Sequence, residues 1–213
     1  MTMRRVILAL AGSVALAGCM ADSGPSPILS VQKSNCHSAP NLAGAKPVAL
    51  STGREDDELE FVITRSSPCL ETTQGLRSLY ETVKLPAFSG DIAVRVEATP
   101  STTGIFSPQI TVLDADGKPL RQVPDEKMLF RSARLTASTR LTQGDAYLLV
   151  ASNPERVGDV HETRTATFNS YHSGGPAYFS IYTATEETKR RTYSYGGQVV
   201  VIAREVDTTL DAR

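Results

Sequence analysis

Hydrophobic and polar residues alternate along most of the chain from Glu58 onward, with a period of two. This period is typical of strands that bury one face. The apolar positions of the clearest runs are Leu59, Phe61 and Ile63; Leu79, Val83 and Leu85; Ile92, Val94, Val96 and Ala98; and Ile110 and Val112. A nearly continuous apolar run, Tyr147 to Ala151, predicts a central strand, and Tyr178–Tyr182 and Gln198–Ala203 complete the set. The pattern predicts an all-β protein, an antiparallel, jelly-roll-like β-sandwich of eight or nine strands.

Turns and loops are predicted where this alternation stops. Asp114-Ala115-Asp116-Gly117 reads as a turn, because Gly accepts a positive φ and Asp bonds to the local backbone. The stretch from Thr163 to Gly175 lacks apolar periodicity and is predicted to be a long surface loop. No segment has the pattern of a long amphipathic helix.

The N-terminus has the layout of an export signal. Arg4 and Arg5 precede an apolar stretch, Val6 to Gly18, that is too short to span a bilayer. It ends in Leu16-Ala17-Gly18-Cys19, which resembles the lipobox of bacterial lipoproteins. The resemblance implies acylation of Cys19 and cleavage before it; the alternative is an ordinary signal peptide that contains a Cys. Met20, rather than Asp, follows Cys19 and favours the outer membrane, so we expect a lipid anchor there and a domain facing the periplasm.

These patterns divide the chain into four parts. Residues 1–18 are a lipoprotein signal peptide, 19–47 a lipidated tether, 48–206 the β-sandwich domain and 207–213 a polar tail. The tether is predicted because 20–47 is rich in Ser, Pro, Gly, Asn and Ala and has little periodicity. The alternative is a structured arm that docks on the domain.

Composition and charge exclude several classes of protein. The chain has 213 residues, of which 40% are hydrophobic and 21% charged, as expected of one globular domain with tails. Cleavage before Cys19 removes Arg4 and Arg5 but no acidic residue, so the formal net charge changes from −1 to −3. A nucleic-acid partner is therefore not expected.

Two cysteines remain after Cys19 is assigned to the lipid. An even pair, Cys36 and Cys69, in an oxidising compartment predicts a disulfide. The alternative is two unrelated buried thiols. His37 adjoins Cys36, but neither Cys has a second Cys at zinc spacing, so no metal site is predicted.

The middle of the chain resembles a known family. Leu85-Pro86-Ala87-Phe88-Ser89-Gly90, the strand from Asp91 to Glu97, Phe106 to Asp114 and Gly117-Lys118-Pro119 are similar to the maltose operon periplasmic protein (MalM) family. Leu141-Thr142, Tyr147 to Val150 and, loosely, Tyr195-Gly196-Gly197 extend the resemblance to about Ala203. It implies a cell-envelope location and a carbohydrate context, without a known reaction.

Motifs for catalysis are not found in the sequence. There is no Gly-x-Ser-x-Gly elbow, no phosphate-binding loop and no His-Glu-x-x-His zinc helix. His161 and Glu162 would point to opposite faces of a strand, and His172 lies in the predicted loop without a partner at recognisable spacing. We therefore predict a non-enzymatic protein with no catalytic residues, no metal and no cofactor.

Tyrosines near the C-terminus are the candidate ligand-binding residues. Tyr178 and Tyr182 are predicted to share one strand face, and Tyr193 and Tyr195 a face of the next strand. A tyrosine offers an apolar plate with a polar tip, which suits a sugar ring or a protein partner. The alternative is cross-strand packing within the sheet.

Two functions follow from these features. The first is an accessory protein in carbohydrate uptake, with a maltodextrin-like oligosaccharide as partner. The second is a structural or interaction lipoprotein that docks on another cell-envelope protein. In both, the lipid anchor makes the membrane a partner.

Overall fold

Fourteen strands and one short 3-10 turn, Asp125–Lys127, make up the regular structure of the described residues. The structure is a computed structural model that describes residues 25–51, 57–173 and 179–206, with the backbone alone at 165, 168–173 and 179–183. The strands are β1 (Lys46–Pro47), β2 (Leu59–Ile63), β3 (Cys69–Glu71), β4 (Arg77–Lys84), β5 (Ile92–Thr99), β6 (Gly104–Phe106), β7 (Pro108–Leu113), β8 (Pro119–Gln122), β9 (Leu129–Arg131), β10 (Arg134–Leu141), β11 (Tyr147–Ser152), β12 (Val160–Ser173), β13 (Phe179–Ser194) and β14 (Gly197–Glu205).

Two sheets form the body of the molecule. The first has the order β1-β4-β11-β7-β8, with β3 also paired to β4, and the second has the order β2-β14-β5-β10-β9. Neighbours in both sheets are antiparallel, except that β1 and β4 are parallel. The predicted all-β sandwich is confirmed. The predicted number of strands is too low. Strands β1, β3, β6 and β9 are two or three residues long, too short to show alternation, and β10 and β12 were not predicted.

The core lies between the sheets and consists of the apolar members of the alternating runs. Val94 and Val96 of β5, Val199 of β14 and Leu148 and Val150 of β11 are at most 1% exposed and belong to one cluster. Because side chains alternate across a strand, the residues between them form the opposite face. Burial of such side chains contributes roughly 1.5–3 kcal/mol each.

The first sheet is covered on its outer face as well. Tyr80, Leu113, Leu149 and Ala151 form a second buried cluster there, and Leu42 packs against it. Strand β11, in the middle of its sheet, is thus apolar on both faces. This explains the continuous apolar run from which a central strand was predicted.

The N-terminal arm, which we define as residues 25–50, lies against the sandwich. The backbone N–H of Asn41 donates to the Tyr80 hydroxyl at 2.9 Å, and Val48 N donates to Lys84 O at 3.0 Å. The Sγ atoms of Cys36 and Cys69 are joined, so the predicted disulfide is present and fastens the arm to β3. Residues 28–47 therefore lie docked on the sandwich, which matches the alternative of a structured arm rather than the tether.

Strands β12 and β13 form a long two-stranded ribbon. They pair over fourteen positions, from Val160 opposite Thr192 to Ser173 opposite Phe179. The surface loop predicted from Thr163 is therefore wrong. The apolar period is missing because both faces of this ribbon meet solvent: Glu162, Arg164 and Ala166 are exposed, as is every residue from 184 to 190.

Candidate functional site

A groove of about 400 Å³ lies at one end of the sandwich, where the arm crosses it. Five segments meet there: the start of the arm, the end of β2, the turn after β5, strand β6 and the turn between β13 and β14. The lining residues with apolar side chains are Pro25, Pro27, Ile28, Val62, Ile63, Pro100 and Phe106.

The groove has no ionisable lining among the described residues. Its polar side chains are hydroxyls and one amide, from Ser26, Thr64, Thr99, Ser101, Ser194 and Gln198. General acid–base or nucleophilic catalysis normally needs a titratable or activated group. The arrangement therefore suits binding of an uncharged ligand that has both apolar and hydroxyl-bonding parts.

Hydrogen bonds around Ser194 hold the arm at this position. Ile28 N donates to Ser194 Oγ at 2.8 Å, and Tyr195 N donates to Ile28 O at 2.8 Å. Gly196 N donates to the same Ser194 Oγ at 3.2 Å. These hydrogen bonds hold the arm against the turn after β13, where the arm forms one wall of the groove.

Two glycines allow this close approach. A Cβ at Gly196 would lie 2.5 Å from Ile63 O and 2.7 Å from Ile28 Cδ1. A Cβ at Gly197 would lie 2.9 Å from Phe106 Cβ. Any larger residue at position 196 would push the arm or β2 away, so this turn determines the width of the groove.

Comparison with known families identifies the middle of the sandwich. The family model described as maltose operon periplasmic protein precursor (MalM) matches residues 75–157. This segment is similar to the MalM family. The match covers 83 of the 213 residues, and the family is periplasmic by its description. A comparison with curated proteins found no match.

The MalM segment runs from β4 to the turn after β11 and provides the central strands of both sheets. It supplies Thr99, Gly104 and Phe106 to the groove. The arm, the ribbon and β14 lie outside the match. The groove therefore combines a wall from the MalM segment with walls from flanking parts of this chain.

Of the candidate tyrosines, the two whose side chains are described, Tyr193 and Tyr195, do not line this groove. Tyr182 lies in β13 opposite Ser170, in the same strand as Tyr193, so these two do not occupy successive strands as predicted. Tyr193 is 4% exposed and packs in the hydrophobic core. Tyr195 is half-buried against the core. Tyr178 lies outside the described residues, and the side chain of Tyr182 is likewise not described.

Tyr193 is part of an aromatic stack at the base of the ribbon. The rings of Phe130 and His161 stack with centroids 3.9 Å apart and 7° between their planes, and the His161 and Tyr193 centroids are 6.2 Å apart. Arg156 Cζ lies 4.3 Å from the Tyr193 ring centroid. Burial, together with the charges of Arg156 and Arg191, lowers the pKa of His161, so the ring is neutral at neutral pH.

The groove itself was missed by the sequence analysis. Its lining comes from segments as distant as Pro25 and Gln198, and no local pattern joins them. The one available signal was the Tyr195-Gly196-Gly197 turn, since adjacent glycines often mark a close backbone approach.

The described residues add two findings about metals and membranes. They contain no group of three or more His, Cys, Asp or Glu side chains that could hold a metal ion. Within the same residues, no helix is long and apolar enough to cross a membrane. Cys19, the predicted lipidation site, lies outside them.

Proposed function

We propose that this protein is a periplasm-facing outer-membrane lipoprotein that assists carbohydrate uptake by binding, without catalysis. The observation that carries the proposal is the match of residues 75–157 to the MalM family. The description of that family, maltose operon periplasmic protein precursor, links it to a sugar. The lipobox at Cys19 supports the anchor, and the lipid chain would keep the domain at the membrane surface.

The groove is the proposed ligand site. A sugar is uncharged, has apolar ring faces and presents hydroxyls, and the lining offers matching prolines, aliphatic side chains, hydroxyls and the Gln198 amide. Its volume of about 400 Å³ accommodates a small ligand or one part of a linear oligosaccharide.

Calorimetry with linear α-glucans, from maltose upward, tests this proposal. We expect a heat of binding for the mature protein and at least tenfold weaker affinity for Val62→Arg, which places a long cation in the groove. Val160→Arg, in the ribbon, is the matched control, because Val160 is 58% exposed and Val62 is 56% exposed. No heat with any glucan would contradict a carbohydrate ligand.

The tyrosine hypothesis needs its own pair of variants. If Tyr182 or Tyr195 stacks on the sugar, its replacement by Ala weakens binding by about 1–2 kcal/mol and leaves the fold intact. If the rings only pack, thermal stability falls and the affinity of the folded fraction is unchanged. Melting curves recorded beside the titrations separate the two roles.

A second candidate is an interaction lipoprotein that docks on another envelope protein. The ribbon favours it, since the outer edges of β12 and of most of β13 pair with no other strand in the described structure. Open edges are sites where another chain adds a strand. Crosslinking of the native lipoprotein followed by pull-down would identify such a partner, and recovery of the uncrosslinked protein alone would speak against it.

A further inference from the structure

A second cavity adjoins the groove at the turn that follows β5. It has a volume of about 450 Å³, and we call it the ribbon cleft because its charged lining belongs to β13. Pro100 and Ser101 of the turn line both the groove and the ribbon cleft, so the two cavities meet there. The charged lining residues of the ribbon cleft are Glu187, Lys189, Arg190 and Arg191.

Hydrogen bonds hold the turn between the two cavities. Ser101 N donates to Gly104 O at 2.8 Å, and Gly104 N donates to Ser101 Oγ at 3.0 Å. On the side of the ribbon, Arg191 Nε donates to Ser101 O at 3.0 Å, and Thr192 N donates to Thr103 O at 2.9 Å. The turn is thus fastened to β13, and the groove and the ribbon cleft keep a defined relative position.

Arg191 is the cation of the ribbon cleft that is best placed to bind an anion. Its bond to Ser101 O orients the guanidinium, and its Nη1 and Nη2 groups form no hydrogen bond or ion pair with the described residues. The neighbouring cations differ, because Lys189 lies 3.3 Å from Glu187 and Arg190 is paired with a carboxylate of β12. A guanidinium held in this way fits the two oxygens of a carboxylate or a phosphate.

Positive charge also extends from Arg191 to the base of the ribbon. Side chains alternate across a strand, so Lys189 and Arg191 lie on one face of β13, and His161 of β12 is the register partner of Arg191. After burial, the charges of Arg156 and Arg191 are what lower the pKa of His161. This face therefore attracts anions, although the formal net charge of the whole chain is −1.

We propose that the ribbon cleft is a second subsite of the groove, in which Arg191, assisted by Lys189, binds an acidic group of the oligosaccharide. The ligand is then a linear oligosaccharide that carries a carboxylate or a phosphate ester. Its uncharged part occupies the groove, which has no ionisable lining among the described residues, and its acidic part passes Pro100 and Ser101 into the ribbon cleft. This inference rests on the proposed carbohydrate function and adds the charge class of the sugar.

Three linear α-glucans of equal length test the charge class by calorimetry: a neutral glucan, one oxidised to a carboxylate at a C6 position and one phosphorylated there. At low salt the mature protein should bind both acidic glucans about tenfold more tightly than the neutral glucan. The advantage should shrink as salt screens the charges. Saturating neutral glucan should displace the acidic glucans, because all three occupy the groove.

The outcomes of this comparison separate the two proposals. Equal affinity for the three glucans would overturn the acidic subsite and leave the carbohydrate function standing. Acidic glucans that bind without displacement by the neutral glucan would show that the ribbon cleft is a separate site, which also overturns the proposal. No heat with any of the three would contradict the carbohydrate function together with its subsite.

Variants with opposite effects test the residues. Arg191→Gln should abolish the preference for acidic glucans, and Lys189→Gln, which leaves the bond from Arg191 to the turn in place, should reduce it about threefold. Glu187→Gln should increase it, because this change removes a carboxylate from the ribbon cleft. Affinity for the neutral glucan should be unchanged in all three. Arg164→Gln, an exposed cation on the other face of the ribbon, is the matched control and should keep the full preference.

Lipid vesicles test the other source of a phosphate group. Cys19→Ser protein, without a lipid anchor, is mixed with vesicles that contain anionic phospholipid, and Arg191→Gln in this background should leave any sedimentation with them unchanged. Vesicle binding that depends on Arg191, with no preference among the glucans, would assign the ribbon cleft to a lipid headgroup and overturn the proposal. Loss of the preference in Arg164→Gln, or a weaker preference in Glu187→Gln, would overturn it as well.

Discussion

Asp145 is a buried carboxylate that fastens a turn to a neighbouring strand. Its side chain is 2% exposed and accepts two hydrogen bonds from Arg121 of β8, at 2.8 and 2.6 Å. The amide of Thr142 donates to it at 2.8 Å, and Arg121 also donates to Arg140 O. Burial alone would raise the pKa of Asp145, but the hydrogen bonds from Arg121 and Thr142 outweigh it and lower the pKa.

Replacing Asp145 by Asn should lower the free energy of unfolding by about 2 kcal/mol, a value reduced for the 38% exposure of Arg121. Because the folded pKa is lowered, the carboxylate's contribution is present above pH 3.8 and is lost as the pH falls through the folded pKa. Urea unfolding of both proteins at pH 7 and at pH 3 measures this. The difference in free energy of unfolding between wild type and Asp145→Asn should be smaller at pH 3 than at pH 7. The control Asp116→Asn, at an exposed position, should unfold like the wild type at both pH values. A constant difference would mean that charge is not involved.

His161 should make the base of the ribbon sensitive to mild acid. Its pKa is lowered from 6.5 in the fold, so the unfolded chain takes up the proton first. The stability that neutral His161 contributes is complete above pH 6.5 and declines as the pH falls below it. His161→Phe keeps a ring for Phe130 and should flatten the change in melting temperature between pH 7.5 and 5. His37→Gln, at an exposed position, should not flatten it.

The disulfide acts on a segment of the chain rather than on one contact. Cys36 and Cys69 are 33 residues apart, and closing a loop of this length contributes about 3–4 kcal/mol in the chain-entropy model. Reduction, or Cys36→Ser with Cys69→Ser, should lower the melting temperature because the unfolded chain regains that entropy. Thiol titration of the native protein should find neither cysteine free. Two titratable thiols would contradict the disulfide.

The turn between β13 and β14 should hold the arm in place. Gly196→Ala puts a methyl group against Ile63 O and Ile28 Cδ1, at 2.5 and 2.7 Å, and should cost about 1–3 kcal/mol or release the start of the arm. Limited proteolysis should then cut near residues 25–28 sooner. Gly44→Ala is the control, since its nearest contact is the end of the Asn41 side chain at 3.3 Å. Equal cleavage of both variants would show that the turn does not hold the arm.

The proposed lipid anchor would hold the whole protein at the membrane. If Cys19 carries the lipid, Cys19→Ser should leave an uncleaved or soluble form and move the protein out of the membrane fraction, because the acyl chains supply the binding energy. Fractionation with mass spectrometry of the mature N-terminus measures this. The Cys36→Ser, Cys69→Ser variant should stay in the membrane fraction. Unchanged fractionation of Cys19→Ser, with no acyl mass, would contradict the anchor.

The fold class and the core could be read from the sequence because they depend on a local pattern. Val94 and Val96 alternate with Arg95 and Glu97, and in a strand that alternation by itself assigns each side chain to a face. The Cys36–Cys69 pairing followed from counting the cysteines, and the MalM resemblance from several short segments between residues 85 and 151.

The ribbon, the docked arm and the groove were decided by tertiary structure. Both faces of β12 carry exposed residues, Glu162, Arg164 and Ala166 on one and Thr167 on the other, so hydrophobic periodicity could not distinguish this strand from a loop. Ile28 meets Ser194 across 166 positions of sequence, and Gly196 matters only because Ile63 and the arm pass beside it. Spacing alone left open whether Tyr193 binds a ligand or packs within the sheet, and the structure buries its ring, with Arg156 over one face. Alternation records which face of a strand is apolar, whereas contacts between distant segments leave no periodic trace, and these contacts form the site.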